Sequence, residues 1–172
     1  MKKFNSLSNS NLLKFDIKMQ NKALWKGVNF YFNQKILDFF SSVISSTIKK
    51  NTLVSVLLTD DYNMKKINKK WRKQDKPTNV LSFPVNMDII EDEYCFIGDV
   101  ALSYETIEKE SDERMISFQN HFIHLLLHGL LHLLGHGHEN EKETKDMKNL
   151  EIKFLSSINI QNPYLIKLTK DY

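Results

Sequence analysis

All six histidines of the chain fall between His121 and His138, in HFIHLLLHGLLHLLGHGH. Chance would place about 0.2 histidine pairs four residues apart in a chain of this composition; here there are three, 124/128, 128/132 and 132/136. On a helix such pairs share one face, a turn apart, so two imidazoles can hold one metal ion. A third ligand at His136 is disfavoured. On an unbroken helix it would stand about 12 Å along the axis from His128, whereas zinc–nitrogen bonds are only about 2.1 Å long. Gly135 offers the way out, because it can take positive φ, end the helix and turn the chain so that His138 returns to the metal. The pattern is His128-x-x-x-His132-x-x-Gly135-x-x-His138. Three neutral nitrogens suit one zinc ion per chain and leave a fourth position open, as in catalytic rather than structural sites. His121 and His124 read as buried or supporting histidines. His136 is left open between a supporting role, a substrate contact and simple exposure.

The position after the first ligand is Gly129, where zincin peptidases of the HExxH type carry their general base. Glycine in a helix interior costs about 1 kcal/mol relative to alanine, so close packing or substrate approach must require a bare backbone there. Without the glutamate, peptidase chemistry is the weakest reading. A metal that lowers the pKa of water and polarises an oxygen also suits a phosphodiester, and an anionic substrate needs a cation nearby. Only two of the 24 basic residues are arginines. One of them, Arg72, sits in INKKWRKQDKPTNVLSFP among lysines, and its planar fork matches a phosphate. The expected catalytic pair is Arg72 and His128, with His128, His132 and His138 as metal ligands.

These residues need a frame. Leu13–Met19 alternates and reads as a strand, and Thr52–Leu58 and Cys95–Ser103 read as buried strands. Asn79–Val85 reads as a strand that Pro84 places at an edge. Gln34–Lys49 has helical apolar spacing. Tyr62–Lys73 follows the cap residues Asp60 and Asp61, with Met64, Ile67 and Trp71 on one face. Glu113–Leu134 is expected to be one long helix, apolar nearly all round and therefore buried; Glu141–Ser157 is a last amphipathic helix. The expectation is an α+β fold: a single domain with a small mixed four-stranded sheet, packed with helices around a central buried metal-binding helix. Residues 1–12 are a polar extension and 13–172 the domain. Cys95 is the only cysteine, so no internal disulfide can form. No signal peptide is expected behind MKK, and the apolar stretch Phe118–Leu134, broken by histidines, is too short and polar to span a bilayer. A cytoplasmic protein is expected. The net charge of +3 permits a nucleic-acid partner without arguing for one.

HGLLHLLGHGH preceded by HFIH, WRKQDKPTNVLSFP, IGDVALS and the closing NPY resemble, in that order, the motifs of the bacterial YbeY family, from about Leu13 to Tyr164. The resemblance implies a zinc-dependent, single-strand-specific endoribonuclease that matures rRNA, notably the 3′ end of small-subunit rRNA, and acts in ribosome quality control. The implied partners are rRNA and the small ribosomal subunit, with no membrane and no DNA. The family's zinc ligands fall on His128, His132 and His138, and its functional arginine on Arg72. The residue before the third ligand, commonly Asp in the family, is Gly137 here; His136 stands where Tyr is frequent. The alternative is an RNA- or ribosome-binding assembly factor whose zinc only staples the fold.

Overall fold

The structure, a computed structural model, describes residues 13–27, 32–85 and 93–165; the polar extension 1–12 lies outside them. Four strands form one mixed sheet: β1 (Leu13–Met19), β2 (Thr52–Thr59), β3 (Val80–Pro84) and β4 (Cys95–Ser103). Their order is β1-β2-β4-β3, with β1, β2 and β4 parallel and β3 antiparallel at the edge. The helices are α1 (Gln34–Ser45), α2 (Asp61–Arg72), α3 (Tyr104–Glu113), α4 (Phe118–Leu133) and α5 (Glu141–Ser156). The expected α+β fold with a small mixed four-stranded sheet is the one found.

The two faces of the sheet are covered unequally. Val54, Val56, Val100 and Leu102 alternate onto one face, where they join Phe40, Val43 and Ile44 of α1, Ile107 of α3, Phe122, Leu126 and Leu130 of α4, and Leu155 of α5 in the main core. On the other face only α2 packs, with Met64 seated on Leu81 and Ala101. Met64 is on the inward face as its spacing requires. Trp71 shares that face and packs on Phe83 of β3, yet stands 61% exposed because it lies over the edge strand rather than the centre of the sheet.

Helix starts follow their caps. Asp60, Ser117 and Asn140 each accept a hydrogen bond from the backbone N–H three residues on, at Asn63, Asn120 and Glu143, as Asp, Ser and Asn do at N-caps. Ser117 also explains the main departure from expectation. The helix expected over Glu113–Leu134 begins later, at Phe118 behind Ser117, and a separate helix outside the expected elements, α3 (Tyr104–Glu113), precedes it, the two parted where Met115 takes φ 55°. The start of α3 is tied to that of α2 by Asp61, whose carboxylate accepts from the hydroxyls of Ser103 and Thr106.

The position of α4 on the sheet is set by Gly129. A Cβ there would lie 2.8 Å from Val100 Cγ1 and 3.0 Å from Ser82 Oγ. Close packing is thus what requires the bare backbone. Gly129→Ala is expected to destabilise the protein by about 1–2 kcal/mol, since overpacking costs about 1–3 kcal/mol and better helix propensity returns at most about 1. Urea unfolding with a lowered midpoint and unchanged slope is the expected reading; an unchanged midpoint would show that α4 has room to move.

Candidate metal centre

Three imidazoles converge at the end of α4. His128 and His132 lie one turn apart on the helix, their Nε2 atoms 3.1 Å from each other. Behind them Gly135 adopts φ 89°. The N–H of Gly135 bonds the carbonyl of His132, and that of His136 the carbonyl of Leu131. This pair of bonds is the Schellman termination, and it turns the chain back across the helix end. His138 thereby returns to the other two rings, 5.8 Å from His128 and 4.9 Å from His132 between centroids. One ligand atom from each of the three lies within 4.8 Å of the others. Nitrogens bound tetrahedrally at about 2.1 Å from one ion stand roughly 3.4 Å apart, so the donor set fits a single divalent ion, on a side left open by the exposed His138. His136 is not part of the cluster. The returning loop is held by the start of α5: the Glu143 carboxylate accepts from the Glu139 N–H and the Asn140 amide. A Cβ on Gly137 would come 2.9 Å from that carboxylate, so glycine leaves room for it.

Behind the ligands lies a group that the motif reading missed. Glu151 of α5 is fully buried. One of its oxygens accepts from His128 Nδ1 at 2.7 Å, the other from His124 Nε2 at 3.1 Å and from the Tyr164 hydroxyl. A carboxylate on Nδ1 fixes the tautomer of His128 and leaves Nε2 bare toward the cluster. Burial raises the Glu151 pKa, but the hydrogen bonds from His124, His128 and Tyr164 outweigh it and hold the carboxyl at about 2; Tyr164 is pushed up by burial and by Glu151. The signal was present: Met147, Glu151 and Leu155 recur at four-residue spacing on the buried stripe of α5, and a carboxylate on such a stripe needs donors. His121 is similarly engaged, at 2.6 Å from Glu110. Both supporting histidines are therefore buried beside carboxylates, as their apolar setting suggested.

Arg72 ends α2 and is exposed; it makes no hydrogen bond or ion pair with another described residue. It is near enough for its charge to act on His132. Burial first, then the neighbouring His128, His138 and Arg72, push the His132 pKa down to about 4. His132 is thus a neutral ligand at neutral pH.

Two predictions come from this arrangement. Glu151→Gln should fold, yet bind zinc about ten- to a hundredfold more weakly in chelator competition; unchanged affinity would make Glu151 a packing residue only. In the metal-free protein, His132 and Glu151 both bind protons less readily folded than unfolded, their unfolded values being 6.5 and 4.5. Their contributions are present above those values and are lost on acidification, His132's from pH 6.5 to about 4 and Glu151's from 4.5 to about 2. The melting temperature should fall in the same windows, and His132→Gln should flatten the upper one. A variant with the wild-type slope would contradict this.

Comparison with known proteins bears on all of this. Residues 18–159 match the family Endoribonuclease YbeY. A protein named Endoribonuclease YbeY from Chelativorans sp. (strain BNC1) is 46% identical over 112 residues, covering 64% of this chain and 69% of its own. The one from Bradyrhizobium diazoefficiens is 44% identical over 115 residues, 64% of this chain and 63% of its own length. That from Buchnera aphidicola is 42% identical over 120 residues, 69% and 77%. A solution structure of a Thermotoga maritima protein superposes with a TM-score of 0.56 at 21% identity, over 86% of this chain and 89% of that one, which shows the shared fold. With a family match running over most of its length and three relatives above 40% identity, the chain belongs to the Endoribonuclease YbeY family of RNA-cleaving hydrolases.

Proposed function

We propose that residues 13–172 form a zinc-dependent, single-strand-specific endoribonuclease domain that matures the 3′ end of small-subunit rRNA and acts in ribosome quality control in the cytoplasm, with the small subunit as partner. The observation that carries the reading is the convergence of His128, His132 and His138 on an open side, under the charge of an arginine whose side chain has no hydrogen-bond or ion-pair partner among the described residues. Zinc held by these three residues supplies Lewis acidity toward a phosphodiester oxygen and lowers the pKa of water. The chain's own groups do the rest. Glu151 keeps the His128 ring oriented with Nε2 outward. His132, neutral at pH 7, offers a lone pair rather than a competing proton. Arg72, hydrogen-bonded to no described side chain, is available to pair with a phosphate and to offset the charge that builds on it as the bond breaks. No helix among the described residues is long and apolar enough to cross a membrane.

Two other readings are weaker. A zinc that only staples the fold is at odds with a main core that spans all the helices except α2 without it. A peptidase of zincin type lacks its base, and the space beside Gly129 is filled by Val100 and Ser82, so a glutamate side chain has no path there.

A single-stranded RNA from the 3′ end of small-subunit rRNA, incubated with zinc and identically purified proteins, tests the proposal. Wild type should cleave it, His132→Ala should not, and Arg72→Ala should be slower by about 10²-fold. Equal cleavage by wild type and His132→Ala would sink the reading. The product ends separate two nucleophiles: a 2′,3′-cyclic phosphate marks attack by the RNA's own 2′-hydroxyl and excludes direct attack by water.

A further inference from the structure

Beside Arg72 in the sequence stands Trp71, 61% exposed, an unusual place for so large an apolar surface unless something covers it. Its ring centroid is 5.7 Å from that of Phe83 on the edge strand. Together with Pro84 the two rings line a groove of about 580 Å³ between α2 and the sheet, which extends across Asp99 and Ala101 of β4 to Leu57 of β2. Ser82 and Val100 line it as well, and these are the residues against which Gly129, next to His128, is packed. Their side chains point through the sheet to the α4 face, so groove and histidines lie on opposite faces near the edge strand, and Arg72, which follows Trp71, links them because its charge reaches His132. We propose that the Trp71–Phe83 pair is a stacking platform for an unpaired RNA nucleobase, which holds one nucleotide beside the phosphate to be cut. This rests on the endoribonuclease reading and adds to it the feature that selects single strands.

The chemistry of the rim favours a nucleic-acid strand over an apolar peptide. Lys70 Nζ lies 5.1 Å from the centre of the Trp71 ring, and Lys66 Nζ lies 3.8 Å from that of the exposed Tyr62. Lys65 and Lys69 share Asp75, whereas Lys70 lies over the platform ring and Arg72 follows Trp71 in the sequence. An aromatic face flanked by cations is the arrangement that binds single strands without sequence readout, the base on the ring and the phosphates on the charges. Asp99, the one carboxylate in the lining, suits the base rather than the phosphate, because it accepts hydrogen bonds from exocyclic amines and ring N–H groups. In a duplex both faces of a base are already stacked, so the platform has nothing to take.

The two tryptophans make the test direct. Trp25 is 2% exposed and donates its Nε1–H to the Thr59 carbonyl, so quenching by a ligand reports on Trp71. Chelated, metal-free protein is titrated with a labelled single-stranded oligoribonucleotide, with tryptophan fluorescence and label anisotropy followed together. Wild-type fluorescence should be quenched on binding. Trp71→Ala should raise Kd about tenfold, Trp71→Phe should restore most of the affinity, and an abasic oligonucleotide should bind weakly and equally to wild type and Trp71→Ala. The same sequence annealed into a duplex should leave the fluorescence unchanged. Equal Kd for wild type and Trp71→Ala, or abasic binding as tight as that of the intact strand, overturns the platform. If wild type with zinc still cleaves that strand, the nuclease reading survives and only the platform fails; if wild type neither binds nor cleaves, both are overturned.

Discussion

A carboxylate with no exposure to water organises the candidate metal centre. Glu151 lies inside the protein, and an ionised carboxyl there is tolerable only while donors surround it. Three do: His124, His128 and Tyr164. Each of these is in turn constrained. His128 must keep Nδ1 toward Glu151, which aims Nε2 at its neighbours. His124 is held behind it on the same face of α4. Tyr164 brings the segment after α5 back onto the helix pair. The orientation of one metal-binding ring, the docking of α5 and the course of the C-terminal segment are therefore one electrostatic problem with one solution.

Much of the fold was legible because its signals are local. β1 occupies the segment that alternation marks out and β4 the stretch Cys95–Ser103 read as a strand, and Pro84 ends the edge strand as its missing N–H requires. Gly135 turns the chain with positive φ, and His138 rather than His136 joins the pair on α4. The failures share a cause. α3 was missed because Tyr104–Glu113 is mostly polar, with only Ile107 and Ser111 buried, and the late start of α4 depends on Ser117 acting as a cap and on Met115 taking a left-handed backbone. Spacing put Trp71 on the face of Met64 and Ile67, where it lies, but spacing cannot tell where the sheet beneath a helix ends and so did not show its exposure. Glu151 was overlooked because a lone glutamate between Leu150 and Ile152 looks like a solvated residue until the helix is rotated to its buried stripe.

The two sides of the sheet divide the labour. On one side lie the large core and the histidines, where burial lowers the proton affinity of His132 and keeps it available as a ligand. On the other lies only α2, thinly attached through Met64, Leu81 and Ala101, with its charges and its exposed ring near the edge. The edge strand β3 is where the two meet, since Ser82 faces Gly129 while Phe83 faces Trp71.

The three converging imidazoles, together with Glu151 and Tyr164, come from one continuous stretch in the C-terminal part of the chain, whereas Arg72 comes from a helix far upstream. Closing short loops costs little chain entropy, and closing long ones costs more and depends on the rest of the fold. The half of the site proposed to hold an ion is thus nearly local, and the half proposed to meet an anion is wholly non-local. Strain or damage in the first half of the sheet would separate them, leaving a protein that still takes up its ion but no longer brings a cation to the substrate.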